Sequence, residues 1–323
     1  MKMSQGKGWD RKEGALGDNA KADLLSLVSY SLFSGSHTTT YKYCFLKSIL
    51  ENIYSLDDDL SISFKAVGET FSSVYWNMIS VHKIPQMPRG STTKKSKFEK
   101  IVGELILDKP YLDGVYYESI NDEDRKLYLK SALPEFQKYV IGAFYEDVDG
   151  MLYGFSKQSK RIWFNPRSAE FLRNNKVILD QVNYYEWLKM VESILRSNEA
   201  KVDNLSTILE EITKRRNLAP FKELLLALGE KRKCFYTGQK LNQDAPLDHV
   251  IPWDYLKSDN LWNFVFISPR CNSSKSNKLP DLQYIDRLIG RNKRLGIPSP
   301  DIKKVYEAAL KNGFKPGWKP KED

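Results

Sequence analysis

The sequence predicts a mainly helical α+β protein in two parts, and three observations carry that reading. Apolar residues recur at helical spacing through most of the chain, as in DLLSLVSYSLF at 23–33. One stretch, MLYGF–SKQSK–RIWFN at 151–165, sets strong β-formers on either side of a polar turn, as a hairpin requires. Basic charge is uneven: Lys214 to Arg294 hold 16 Lys and Arg against 8 Asp and Glu, nearly all of the net charge of +9. The expected division is a disordered leader over 1–20, a helical domain with the hairpin over 21–200, and a smaller α+β domain with flanking helices over 201–323.

Taken in order, the first helix covers Asp23–Phe33 and stops at Gly35. A second runs over Tyr43–Tyr54, ended by the DDD run. A third covers about Val67–His82, with Phe71, Val74, Tyr75 and Met78 on one face. Residues 88–100, PRGSTTKKSKFEK, read as a polar linker or exposed loop. Residues 120–146 are mostly helical, capped near Asn121-Asp122. The basic residues between Lys157 and Lys176 alternate with Trp163 and Phe164. That pattern suits a nucleic-acid-facing loop or a half-buried hairpin. Tyr184 to about Leu228 is helical again: Asp203-Asn204 opens LSTILEEI, Pro220 begins FKELLLAL and Gly229 stops it. In the tail, Ser299 caps a helix, Pro300 takes its first position and Gly313 ends it. His37 and His82 are assigned no role.

With 323 residues and 41% apolar content the chain can bury two cores. A pI of about 9.1 favours a polyanionic partner, nucleic acid before an anionic membrane surface. No apolar run approaches the roughly 18 residues of a membrane span. Three cysteines (Cys44, Cys234, Cys271) are not a disulfide framework. A soluble protein of the reducing cytoplasm is expected.

The chemistry concentrates in LDHVIPWDYLKSDNLWNFVFISPRCNSSKSNK at 247–278. Asp248 offers a charged oxygen to a hard divalent cation, and the Asn272 amide a neutral one. His249 is the natural base for water near neutral pH. Asn263 is suited to orienting the ring or its loop. Asn272 and Lys275 are three apart and share a helix face, so Lys275 could neutralise a phosphate. Together these parts form a metal-assisted phosphodiester hydrolase.

LDHVIP…N…CNSSKSNK resembles the HNH nuclease motif, housed in a ββα-metal finger, and is especially similar to the HNH domain of the large CRISPR type II effectors. The resemblance covers about Lys233–Pro280. It implies His249 as general base, Asp248 and Asn272 as metal ligands, and Asn263 as the residue that stabilises the finger. It further implies one Mg²⁺ or Mn²⁺ per site and double-stranded DNA as partner. Arg270, Lys278, Lys231, Arg232 and Lys233 are the expected nucleic-acid contacts.

Many members of that family hold a structural zinc with two Cys-x-x-Cys pairs. Here the pairs read Cys234-x-x-Thr237 and Ser268-x-x-Cys271, so no structural zinc is expected. Packing of Phe235, Tyr236, Trp253, Leu261, Trp262 and Phe264 would replace it. The layout is similar to restriction and phage-defence nucleases, with the N-terminal domain in a recognition or regulatory role. A catalytically silent nucleic-acid-binding subunit of a larger defence complex and an RNA-cleaving enzyme are the alternatives.

Overall fold

The computed structural model describes residues 11–34, 39–90, 95–212 and 218–320. Its Cα trace divides into two compact units, Met1–Thr213 and Lys214–Asp323. The architecture is mainly helical α+β with small sheets.

In the first unit β1 (Glu13–Gly14) precedes α1 (Leu24–Phe33) and α2 (Tyr41–Asn52). β2 (Ser61–Ser63) leads into α3 (Phe64–Trp76), which continues as a π-helical turn over Asn77–Val81. Then come α4 (Lys97–Asp108), α5 (Asp122–Tyr139), α6 (Ile141–Asp147), β3 (Gly154–Ser156) and β4 (Arg161–Trp163). α7 (Pro166–Asn174), α8 (Lys176–Ser197) and α9 (Leu205–Glu211) complete it.

The expected hairpin is β3–β4, with Phe155 opposite Ile162. It sits inside an antiparallel sheet of order β1-β3-β4-β2. Gly154 lies opposite Trp163, and a Cβ there would come within 2.4 Å of the indole. The position needs glycine because a neighbouring ring lies across the strand. The core is aromatic: Phe45 of α2, Phe71 and Tyr75 of α3 and Phe136 of α5 are sealed from solvent, and Phe71 stacks on Tyr75 with centroids 4.7 Å apart.

Several expectations change here. Residues 1–10 of the leader and His37 lie outside the described residues. Residues 11–20, however, are built into the fold: Glu13 pairs with Ser156, and buried Asn19 donates to Ser168 Oγ at 2.8 Å and to the Met151 carbonyl at 2.8 Å. The polar stretch 88–100 contains the start of α4, where Ser96 and Glu99 form a reciprocal capping box. The cations between Lys157 and Lys176 are largely engaged within the unit. Arg161 bonds Asp57 and Ser61, Arg167 donates to the Ala22 carbonyl, and Arg173 to the Ile53 carbonyl, while Lys176 is buried.

In the second unit α10 (Ala219–Ala227) ends at Gly229, whose φ of +88° is left-handed. A turn at 234–238 is closed by Gly238 N–H to the Cys234 carbonyl at 2.8 Å. β5 (Leu247–His249), α11 (Trp253–Leu256), β6 (Phe264–Phe266) and α12 (Pro269–Lys275) follow. α13 (Leu282–Leu295), a helix the sequence reading left unplaced, and α14 (Ile302–Lys311) complete the unit.

β5 and β6 pair antiparallel, Asp248 opposite Val265 and His249 opposite Phe264. Every residue of both strands is buried. α13 is tied to the β6 end of this pair: Arg291 donates to the Phe264 carbonyl and Asn292 to the Trp262 carbonyl. The cap of α14 is Asp301, which accepts from the Lys304 amide, rather than Ser299. Among the described residues, no helix is long and apolar enough to cross a membrane.

Candidate functional site

The strand pair and α12 bring Asp248, His249 and Asn272 to one cavity of about 460 Å³, lined also by Pro252, Trp253, Asp254, Ser273, Ser276 and Asn277. β5 supplies Asp248 and His249. Ser268 supplies the N-cap of α12, its Oγ accepting from the Cys271 amide, and so sets the turn on which Asn272 stands.

Asp248 is held from two sides. The Tyr236 hydroxyl donates to Oδ2 at 2.9 Å, and the Lys275 ammonium lies 3.1 Å from Oδ2 and 3.3 Å from Oδ1. Burial, and then the charge of Asp248, hold the Tyr236 hydroxyl well above its ordinary range, so it stays a donor. Lys275 also donates to the His249 carbonyl at 2.8 Å.

The His249 ring lies against Phe264, with centroids 4.4 Å apart, and its Nε2 is 2.8 Å from Asp259 Oδ1. Asp259 did not emerge from the sequence reading. It stands ten residues on, across a loop, where no period or spacing in the sequence marks it.

Asn263 is wholly buried and does not line the cavity. Its Oδ1 accepts from the Ile251 amide and its Nδ2 donates to the Ile251 carbonyl, both at 2.8 Å. Val250 N–H adds a bond to the Asn263 carbonyl at 3.0 Å. Asn263 therefore clamps the chain just after His249.

Lys275 departs from expectation. It is 1% exposed, ion-paired with Asp248, and not among the residues lining the cavity. Of the expected nucleic-acid contacts, Arg270, Lys278, Lys231 and Lys233 are exposed and Arg232 is half-buried. Arg270 lies on α12 and Lys278 just beyond it, donating to the Ser274 carbonyl.

Of the residues expected to pack the finger, Tyr236, Trp262 and Phe264 are buried. Phe235, Trp253 and Leu261 are half-buried, with Arg287 over Phe235 and Lys257 over Trp253.

Residues 234–281 match the family model described as HNH endonuclease. The match lies within the second unit and takes in β5, β6, α12 and every residue lining the cavity. It supports nuclease activity, the hydrolysis of phosphodiester bonds, for this part of the chain. No solved structure matches the chain.

HNH nucleases generally use divalent metal ions. Among the described residues there is no group of three or more His, Cys, Asp and Glu that could hold a metal. The cavity is lined by the carboxylates of Asp248 and Asp254 and the amides of Asn272 and Asn277, and it is wide enough for water. That set fits a hard ion such as Mg²⁺, which keeps several waters and takes one or two carboxylates plus substrate phosphates. It does not fit a closed four-ligand zinc site.

Proposed function

We propose that the chain is a metal-dependent DNA endonuclease or nickase, working in restriction or anti-phage defence. The observation that carries the reading is the convergence of Asp248, His249 and Asn272 on one cavity inside the segment that matches HNH endonucleases.

In this reading His249 takes the proton of the attacking water, and Asp259 holds its ring in place. Asp248 and Asn272 are the ligands of one Mg²⁺ or Mn²⁺, which when bound supplies Lewis-acid stabilisation of charge on the phosphate. Lys275 acts through Asp248 as a positioning residue, and Asn263 through the loop after His249. Arg270 and Lys278, beside Asn272, grip the phosphates of double-stranded DNA, with Lys231, Arg232 and Lys233. The first unit serves in target recognition or regulation.

Incubation of supercoiled plasmid with Mg²⁺, Mn²⁺ or EDTA tests the proposal. Metal-requiring nicked or linear product that vanishes in His249→Ala is expected. The second reading, a silent nucleic-acid-binding subunit of a larger defence complex, draws support from the Lys275 ammonium already paired with Asp248. Salt-sensitive binding without cutting under any metal would favour it. Digestion of labelled RNA in parallel decides between an RNA- and a DNA-cleaving enzyme.

A further inference from the structure

The segment 314–319 lies beyond the residues matched to the family, yet it packs against the side chain that holds Asp248. It runs beside the stretch that joins α12 to α13. Leu279 N–H donates to the Lys315 carbonyl at 2.9 Å, Trp318 N–H to the Leu279 carbonyl at 3.0 Å, and Asp281 N–H to the Trp318 carbonyl at 2.9 Å. Trp318 is thereby bridged in parallel to Pro280. Side chains fasten both ends. Phe314 packs edge-on against buried Tyr255, with centroids 5.6 Å apart, and Lys319 pairs with Asp281 at 3.2 Å.

These bonds deliver the Trp318 indole to Tyr236. The two rings meet edge to face, with centroids 4.8 Å apart and planes at 85°. Tyr284 of α13, at 5.0 Å, and Phe235, at 5.1 Å, also pack on Tyr236, and both Tyr236 and Trp318 are buried. The Tyr236 hydroxyl, at the far end of that ring, donates to Asp248 Oδ2 at 2.9 Å. A phenol is rigid, so a tilt of the ring in its slot carries the oxygen off the carboxylate.

We propose that the segment 314–319 is a strap that fixes the Asp248 carboxylate at a distance, with Trp318 as a positioning residue acting through Tyr236. The indole bounds the ring, the ring aims the hydroxyl, and the hydroxyl holds one side of the carboxylate. That the fixed carboxylate then meets a divalent cation rests on the nuclease reading. Hydrogen-bond partners of a ligating carboxylate typically govern metal affinity by roughly 10–100-fold. The strap is tied by main-chain bonds, so a substitution at Trp318 removes the indole and leaves those bonds available.

The test is a double-mutant cycle in the full-length protein between Trp318→Ala and Tyr236→Phe, the latter removing only the hydroxyl. Without added metal, hydrogen exchange of the β5–β6 amides reads the stability of the second unit. Tyr236→Phe should lower protection in the parent and far less in Trp318→Ala, a coupling of about fivefold. Electron paramagnetic resonance of free Mn²⁺ reads the cation site. Each single substitution should weaken Mn²⁺ binding by about tenfold, the double no further, and Trp318→Phe should keep most of the parent's affinity. Where Trp318→Ala does not fold, Trp318→Leu, which keeps apolar bulk, takes its place in both measurements. Additive effects of the two substitutions on exchange would overturn the strap. So would Mn²⁺ affinity that falls in Tyr236→Phe but not in Trp318→Ala. A parent that binds no Mn²⁺ yet shows the coupling upholds the strap and refutes Asp248 as a ligand, so the two readings fail separately.

Discussion

Asn263→Ala should unfold the second unit far more readily than it disturbs any contact in the cavity. Asn263 is wholly buried, and its two side-chain bonds satisfy both backbone groups of Ile251. Truncation leaves that amide and that carbonyl without partners where water cannot reach. Each orphaned group costs about 1–3 kcal/mol. Taking about 3 kcal/mol for the pair, and roughly 5 °C per kcal/mol for a unit of this size, the melting temperature should fall by about 15 °C. Asn263→Asp separates hydrogen bonding from packing. It keeps the shape but turns an oxygen toward the Ile251 carbonyl, and should be at least as damaging. The assay is thermal unfolding followed by tryptophan fluorescence, with hydrogen exchange at the Ile251 amide as the local probe. A melting temperature within about 2 °C of the parent, with the Ile251 amide still protected, would refute the clamp.

Asp259→Asn should lower the single-turnover cleavage rate by about a hundredfold while leaving DNA affinity unchanged, because it disturbs the tautomer and aim of His249; an unaltered rate removes Asp259 from the mechanism. Lys275→Met leaves Asp248 buried without its cation and should cost about 3 kcal/mol of stability, read by urea unfolding. Unlike a phosphate contact, it should also change the metal dependence of cutting, which a Mg²⁺ titration reads. Gly154→Ala drives a methyl into the Trp163 indole and should cost about 1–3 kcal/mol, seen as a lower unfolding midpoint and a shifted near-ultraviolet dichroism spectrum.

What could be read from the sequence was whatever is local. The helices around Asp23–Phe33 and Asn121 announced themselves by cap and period, and the 151–165 hairpin by its turn between β-formers. Asp248, His249 and Asn272 were legible as residue types that do chemistry, and the fold does bring them to one cavity.

The contacts that orient them were less visible because they are tertiary. The Asp259–His249 bond spans a loop whose path no periodicity encodes. Lys275 was placed on the right helix, but its long side chain turns inward to the nearest buried carboxylate, since an ammonium in that interior needs a counter-charge. β1 was missed because two residues carry no strand pattern; only packing of Gly14 against Tyr145 and Phe155 and pairing with β3 order it. α4 was hidden because its capping box sits within a run of lysines that reads as solvated loop.

Lys275 gives Asp248 a resident positive neighbour before any ligand arrives. An incoming divalent cation would meet an oxygen donor already shared with an ammonium and a phenol, so its grip on protein alone should be loose. Oxygens of the nucleic-acid backbone would have to finish its shell. Cation and strand would then load together, and a scarcity of either would keep the blade sheathed.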